Sequence, residues 1–342
     1  MASLRFPAEW EPQSAVLIAW PHTGTDWAER LDDVEATYVA LVSAITRFER
    51  VLICVCDAAL REHACALLST ARIDASRIRF VELPYNDTWL RDSGPITLRD
   101  GHRLRLLDFY FTAWGGKFEA NLDDRIIAEL LVQGVFQDYS HQRIEFALEG
   151  GAIETDGAGT LLSTWQCLHE RHPSLERSEI TRVLESSLAQ QRTLWLDHGA
   201  LEGDDTDAHI DTLARFAAPD AIVYQGCQDS GDSHYRELQA MAAELAAFRT
   251  VEGAPYRLFE LPWAKPIVDD GRRLAASYAN FLIINGAVLM PAYGDANDSR
   301  AVAVLAQAFP EHEIIAIPCR SLIWQNGSLH CLTMQLPEGL IA

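Results

Sequence analysis

Basic residues are scarce in this chain. Its 342 residues carry 28 Lys and Arg against 49 Asp and Glu, a formal net charge of -21. Nucleic acid and anionic lipid are both held by basic patches that displace counterions, so a nucleic-acid or membrane partner is disfavoured. A cationic small ligand suits the balance, and so does ordinary surface solubility. Cysteine is also used sparingly, at positions 54, 56, 65, 167, 227, 319 and 331, with no C-x-x-C pair and an odd total. That pattern disfavours a disulfide scaffold or a zinc module and fits reduced thiols in a cytosol. The opening stretch "MASLRFPAEWEPQ" lacks the apolar run of a secretory signal, and no proline-rich or serine-rich linker marks a domain boundary. A cytoplasmic protein is expected.

With 49% hydrophobic and 23% charged residues, the chain reads as folded throughout. Its length allows two ordinary domains or one larger repeat architecture. Residues 275–294, "AASYANFLIINGAVLMPAYG", run for twenty positions without a charge. Asn285-Gly286 and Pro291 make this a buried hairpin rather than a membrane span, since Asn-Gly favours a tight turn with positive φ. Further hairpins are expected at Asp100-Gly101 and at the "DGAG" of 156–159. Helices are expected from Asp26 to about Phe48, around 121–134, over 178–191 with Ser178 as N-cap, and around 234–248 and 298–309. The order of elements repeats. It points to one α/β domain over 1–342, built from about five strand-strand-helix-strand units of roughly 60 to 70 residues; a two-domain α/β enzyme is the alternative.

Polar clusters fall between the units: "NDTWLRDSGP" (86–95), "LEGG" (148–151), "GDDTDAHID" (203–211) and "NGSLHC" (326–331). Asp92 to Glu149 is 57 positions, Glu149 to His209 is 60, and His209 to Cys331 is 122, about twice that interval. One residue per unit would converge on a central site. Read as a strand, "DAHIDT" puts Asp207, His209 and Asp211 on one face. Asp204, Asp205 and Asp207 also offer carboxylates for a metal, but only one histidine accompanies them. Glu149 precedes Gly150-Gly151, where small residues let a backbone or ligand approach closely, and it is placed to orient a histidine. Arg91 offers Asp92 a neighbouring salt-bridge partner. If "SLHCLTMQL" is a strand, His330 faces away from Cys331, which leaves His209 as the better proton-transfer partner. Taken alone, Cys331 reads equally as one buried apolar thiol among seven.

Six ordered segments, "FPAEWEPQSAVLIAWPH", "NDTWLRDSGP", "FTAWGGKF", "LEGGAIETDGAGTLLST", "GDDTDAHIDTLARF" and "NGSLHCLTMQLP", resemble the agmatine deiminase family of the guanidine-modifying (pentein) superfamily. The resemblance implies a five-bladed, pseudo-symmetric α/β propeller of ββαβ units. It implies Cys331 as nucleophile, His209 as general acid and base, Glu149 as its carboxylate partner, and Asp92 and Asp211 as guanidinium ligands. It also places Asp205 against the substrate, with Trp89 and Trp114 as walls for the alkyl chain, and it implies agmatine as substrate, no metal or organic cofactor, and a homodimer. Two carboxylates can grip the forked guanidinium donors and hold the central carbon before sulfur. Those same carboxylates oppose thiolate formation in the empty site, so the cationic substrate is expected to promote it. One departure stands out: Gln325 and Asn326 occupy positions where this family carries glycine. Deimination of another arginine derivative such as peptidyl-arginine, a metal-dependent amidohydrolase and a non-catalytic polyamine binder are the other readings.

Overall fold

The computed structural model describes residues 4–341. Five sheets repeat one topology, in which the first strand runs antiparallel to the second and a helix then returns the chain as a third, parallel strand. They comprise Ile96–Asp100, Arg103–Tyr110 and Tyr139–Ala147; Ile153–Thr155, Thr160–Thr164 and Arg192–Leu196; Ala214–Ala218, Ala221–Gln225 and Arg257–Leu261; and Leu282–Ile284, Ala287–Ala292 and Glu313–Pro318. The fifth joins the two ends of the chain: Met334–Pro337 pairs antiparallel with Gln13–Ala19, which continues to Arg50–Val55 and the extra strand Ile78–Glu82. A separate two-stranded ribbon, Val268–Asp269 with Arg272–Arg273, lies outside these sheets.

The helices link neighbouring units. Tyr235–Ala247 contacts strand Arg192–Leu196 of the preceding sheet, Asp298–Ala308 contacts Arg257–Leu261, and Leu31–Ile45 contacts Glu313–Pro318. Packing thus passes from the last sheet back to the first. In Leu31–Ile45 the apolar stripe Val34, Tyr38, Leu41, Val42 and Ile45 is fully buried, while Asp32 and Asp33 occupy the positive N-terminal turn. No helix among the described residues is long and apolar enough to cross a membrane.

Several local expectations change. The first helix starts at Leu31 rather than Asp26, because His22, Thr25 and Trp27 close turns on the preceding segment. Ser178 lies inside helix Arg177–Ser187 instead of capping it; Glu179 reaches back to the Glu176 N–H at 2.9 Å and takes over the cap. At the 285–286 turn only Gly286 takes the left-handed conformation (φ 75°). The Asn285 side chain instead binds both backbone groups of Gln13, at 3.0 and 2.9 Å, and so ties the 282–292 hairpin to the first strand.

Candidate active site

Each unit delivers a polar residue just before its first strand. Asp92 precedes Ile96, Glu149 precedes Ile153, His209 and Asp211 precede Ala214, Asn280 precedes Leu282, and Cys331 precedes Met334. These positions lie in short turns: Leu90–Ser93 is a single helical turn, and Gly150–Ala152 and Ile210–Thr212 are 3-10 turns. The turns bond to one another. The Arg91 N–H donates to the Cys331 carbonyl at 3.1 Å, and the Gly151 N–H donates to Asp92 Oδ1 at 3.0 Å. Glycine is required at both positions of the 150–151 pair. A Cβ on Gly150 would stand 2.2 Å from the Arg91 carbonyl oxygen, and one on Gly151 would stand 2.6 Å from His209 Nδ1 and 2.8 Å from Asp92 Oδ1.

The strand readings of 207–212 and 328–333 are wrong, because the flanking strands begin only at Ala214 and Met334. Asp207 and Ala208 are both left-handed (φ 65° and 70°), which breaks the alternation. Asp204 stabilises the turn by accepting from the Thr206 and Ala208 N–H groups at 2.9 and 2.8 Å. Asp207 therefore leaves the site and pairs with Lys117 and Arg171 at 2.8 and 2.6 Å, while His209 and Asp211 turn inward together. With Asp204 committed to the turn, Asp205 to Asn326 and Asp207 to two cations, the acidic cluster has its carboxylates engaged by protein donors. Arg91, in turn, bonds Glu9 at 3.1 Å and Gln335, and does not pair with Asp92.

Cys331 Sγ lies 3.4 Å from Asn280 Oδ1 and 3.7 Å from Asp211 Oδ2. His330 turns to the other side of Asp211: its Nδ1 is 2.8 Å from Asp211 Oδ2 and its Nε2 is 2.9 Å from Glu9 Oε1. His209 is wholly buried, with Nδ1 3.7 Å from Asp92 Oδ1 and Nε2 3.7 Å from Glu149 Oε2. Among the described residues neither nitrogen has a hydrogen-bond partner, and neither does Glu149 Oε2 or Asp211 Oδ1. Arg171 holds the other Glu149 oxygen at 2.7 Å. Trp114 lines the cavity as expected, and its indole N–H also donates to Asp92 Oδ2 at 2.9 Å.

Charge is distributed unevenly across these groups. Burial alone would lower the His209 pKa, but Asp92, Cys167 and Glu149 outweigh it and hold the imidazole well above its ordinary value. Burial opposes ionisation of Glu149, yet His209 and Arg171 keep its pKa below the ordinary range, and His330 does the same for Asp211. Asp92 is pushed up to about 6 by burial. The Cys331 thiol is raised well above normal by burial and then by Asp211 and Asp92. Near neutral pH the Cys331 thiol is therefore protonated and the His209 imidazole charged. Separated pKa values of this kind assign acid and base roles.

Cys331 and Asp92 line a cavity of about 670 Å³ that also includes Trp89, Trp114 and Asp205. His209, Glu149 and Asp211 lie beneath that lining, wholly or almost wholly buried. Among the described residues, six carboxylates line the cavity (Asp26, Asp87, Asp92, Glu119, Asp123 and Asp205), with Arg272 as the one cation. Asn326, left-handed at φ 69°, donates to Asp205 at 2.7 Å and accepts from Arg272, and so joins a carboxylate of the cavity lining to its guanidinium. Trp89 packs over Gly327, where any Cβ would stand 2.3 Å from its ring.

Sequence reasoning missed Asn280 and Arg171, and it marked Asn326 without giving it a role. The double interval between His209 and Cys331 was the signal for Asn280, since it implied one more contributing turn. Arg171 sits on helix Trp165–Arg171 with no local motif around it.

Residues 5–337 match the family model described as Porphyromonas-type peptidyl-arginine deiminase. Agmatine deiminase from Stutzerimonas stutzeri is 35% identical to the chain, over 98% of the chain and 96% of the relative. Among solved structures, a candidate arginine deiminase from Porphyromonas gingivalis is 47% identical with a TM-score of 0.93, covering 99% of this chain and 100% of that one. A cysteine-to-serine variant of C. jejuni agmatine deiminase, with substrate bound, is 34% identical with a TM-score of 0.90, covering 99% and 97%.

Proposed function

The chain belongs to the Porphyromonas-type peptidyl-arginine deiminase family, and from that premise and the geometry of the site we infer that it hydrolyses agmatine to N-carbamoylputrescine and ammonia. The observation that carries this reading is a thiol and a carboxylate, Cys331 and Asp92, on the floor of an acidic cavity, with Asp211 beside the sulfur and the His209-Glu149 pair behind. Asp92 and Asp211 bind the guanidinium by charge-assisted hydrogen bonds. The arriving cation offsets the charges that keep the thiol protonated, and because His209 is already charged the thiol proton passes to solvent. The thiolate then attacks the guanidinium carbon to form a C–S bond. His209, charged in the empty site, gives its proton to the departing nitrogen as the C–N bond breaks and ammonia leaves. Neutral His209 next takes a proton from water, hydroxide adds to the amidino carbon, and the C–S bond breaks as the carbonyl forms, the hydroxyl proton of the intermediate passing to the departing sulfur to regenerate the thiol. Glu149 stabilises the imidazolium and fixes its orientation.

This reading includes one catalytic domain whose five units form a closed, five-bladed propeller. The helix packing that passes from the last sheet to the first supports it, as does the single polar turn contributed ahead of each first strand. It also places the protein in a reducing cytoplasm, where seven free cysteines persist. A second substrate reading, an arginine derivative with a free carboxylate, is favoured by Arg272 at the rim of the cavity.

Ureido-product formation from agmatine, free arginine and a C-terminal-arginine peptide, measured side by side, distinguishes the two. Agmatine is expected to turn over fastest, and turnover of agmatine no faster than background overturns the first reading. Mass spectrometry of protein quenched during turnover should find an amidino adduct on Cys331, and Cys331→Ser should abolish both adduct and activity while leaving the fold intact.

A further inference from the structure

One thiol near the site has no place in the mechanism above. Cys167, on helix Trp165–Arg171, is fully buried, and its sulfur, a ring nitrogen of His209 and a carboxylate oxygen of Glu149 all lie within 4.8 Å of one another. His209 Nε2 and Glu149 Oε2 are 3.7 Å apart, too far for a hydrogen bond. Two ligands bound tetrahedrally to one zinc ion, at bond lengths near 2.1 Å, stand about 3.4 Å apart. Both atoms are buried and without a partner.

We propose that Glu149, Cys167 and His209 form an inhibitory binding site for a zinc-type divalent cation. The donor set is an imidazole, a thiol and a carboxylate, the three ligand types that zinc takes from proteins. Arg171 already holds Glu149 Oε1 at 2.7 Å and so leaves Oε2 available while fixing the side chain. The route in is the acidic cavity: Asp92 lines it and stands 3.7 Å from the His209 ring. Binding forms three metal-ligand bonds, displaces metal-bound water and releases the protons of the thiol and of charged His209 to solvent, so affinity rises with pH. The ion occupies the His209 lone pair and removes the group that moves protons. The inhibitory consequence rests on the functional reading given above; the binding itself does not.

Cobalt(II) reports the site independently of turnover, because a thiolate ligand gives it a sulfur-to-cobalt charge-transfer absorption. Chelator-treated full-length protein is titrated with cobalt and zinc as wild type, Cys331→Ala, Cys167→Ser and Cys167→Val, with thermal melts as the check on folding. Wild type and Cys331→Ala should show the absorption at one equivalent, and both Cys167 variants should lack it. The zinc concentration that halves agmatine turnover should rise at least about tenfold in the Cys167 variants, relative to their own metal-free rates. Loss of the absorption in Cys331→Ala would move the metal to the nucleophile and overturn the proposal, as would unchanged binding in a folded Cys167 variant or no binding by wild type. If agmatine were not a substrate at all, the cobalt titration would still decide the site.

Discussion

Replacing Gly151 with alanine tests whether the buried His209 is held in place by contact alone. Gly151 has no left-handed backbone requirement, so the cost of Gly151→Ala lies in what the new methyl meets. Its Cβ would be 2.6 Å from His209 Nδ1, whereas ordinary contact begins near 3.4 Å, so the ring must yield by roughly 0.8 Å. The ring lies between Asp92 and Glu149 at 3.7 Å on each side, and moving it from one carboxylate drives it toward the other. A displacement of that size in a catalytic group costs about 100-fold, or about 2.7 kcal/mol of barrier. Overpacking adds about 1 to 3 kcal/mol of destabilisation, which for a chain of this length lowers Tm by roughly 1 to 4 °C. The assay is colorimetric detection of the ureido product from agmatine, with kcat and KM determined separately and a thermal melt run in parallel. Most of the loss should fall on kcat. Gly150→Ala supplies the contrast, because its methyl would meet the Arg91 backbone carbonyl at 2.2 Å, an atom that no side-chain rotation can move, and so it should lose folded protein first. A Gly151→Ala enzyme with kcat within threefold of wild type would refute the claim that this glycine positions the histidine.

Four further outcomes follow from the site. Asn326→Gly removes the link between Asp205 and Arg272 and should raise KM for agmatine about tenfold with kcat nearly unchanged, since both partners sit at the rim rather than beside sulfur; a fall in kcat with constant KM would contradict this. Agmatine affinity should rise with pH: Asp92 gains its charge near 6, and Asp87 and Asp123, also in the cavity lining and also raised by burial, gain theirs near 7, so binding at pH 5 should be roughly tenfold weaker than at pH 8. For the unliganded protein the sign is opposite. The folded form holds the Asp92 proton between about 4 and about 6, so the stability attached to that group is full below pH 4 and is lost as pH rises through 6, which melts across that window should detect. His330→Gln removes the imidazole between Asp211 and Glu9; it should cost about 1 to 3 kcal/mol of stability and raise KM by weakening the hold on Asp211, and an unchanged melt and KM would exclude that role.

The candidate site was legible because its residues announce themselves through local chemistry: Glu149 before two glycines, His209 and Asp211 two apart, and a spacing near 60 that repeats. The reasons for their placement were less legible. Alternation correctly grouped His209 with Asp211 but included Asp207, because nothing in "DAHID" reveals two successive left-handed residues stabilised by Asp204. His330 was correctly set aside as the partner of Cys331, although the segment turns where a strand was expected. Asn280 stayed hidden inside the twenty uncharged residues that made the hairpin so clear, and Arg171 reaches Glu149 only through the folding of the unit that spans Ile153–Leu196. Long-range partners of this kind depend on how the units pack, which sequence periodicity does not carry.

Pairing between Gln13–Ala19 and Met334–Pro337 also constrains how the protein is made. Cys331 lies three residues ahead of the strand that fills this gap in the first sheet, so a chain still emerging from the ribosome has an unpartnered strand edge at one end and no thiol in the site. Trp324, Asn326 and Gly327 complete the wall of the acidic cavity, so the wall and its thiol arrive together, just ahead of the last strand. A half-synthesised copy has neither a finished cavity nor Cys331 to place in it.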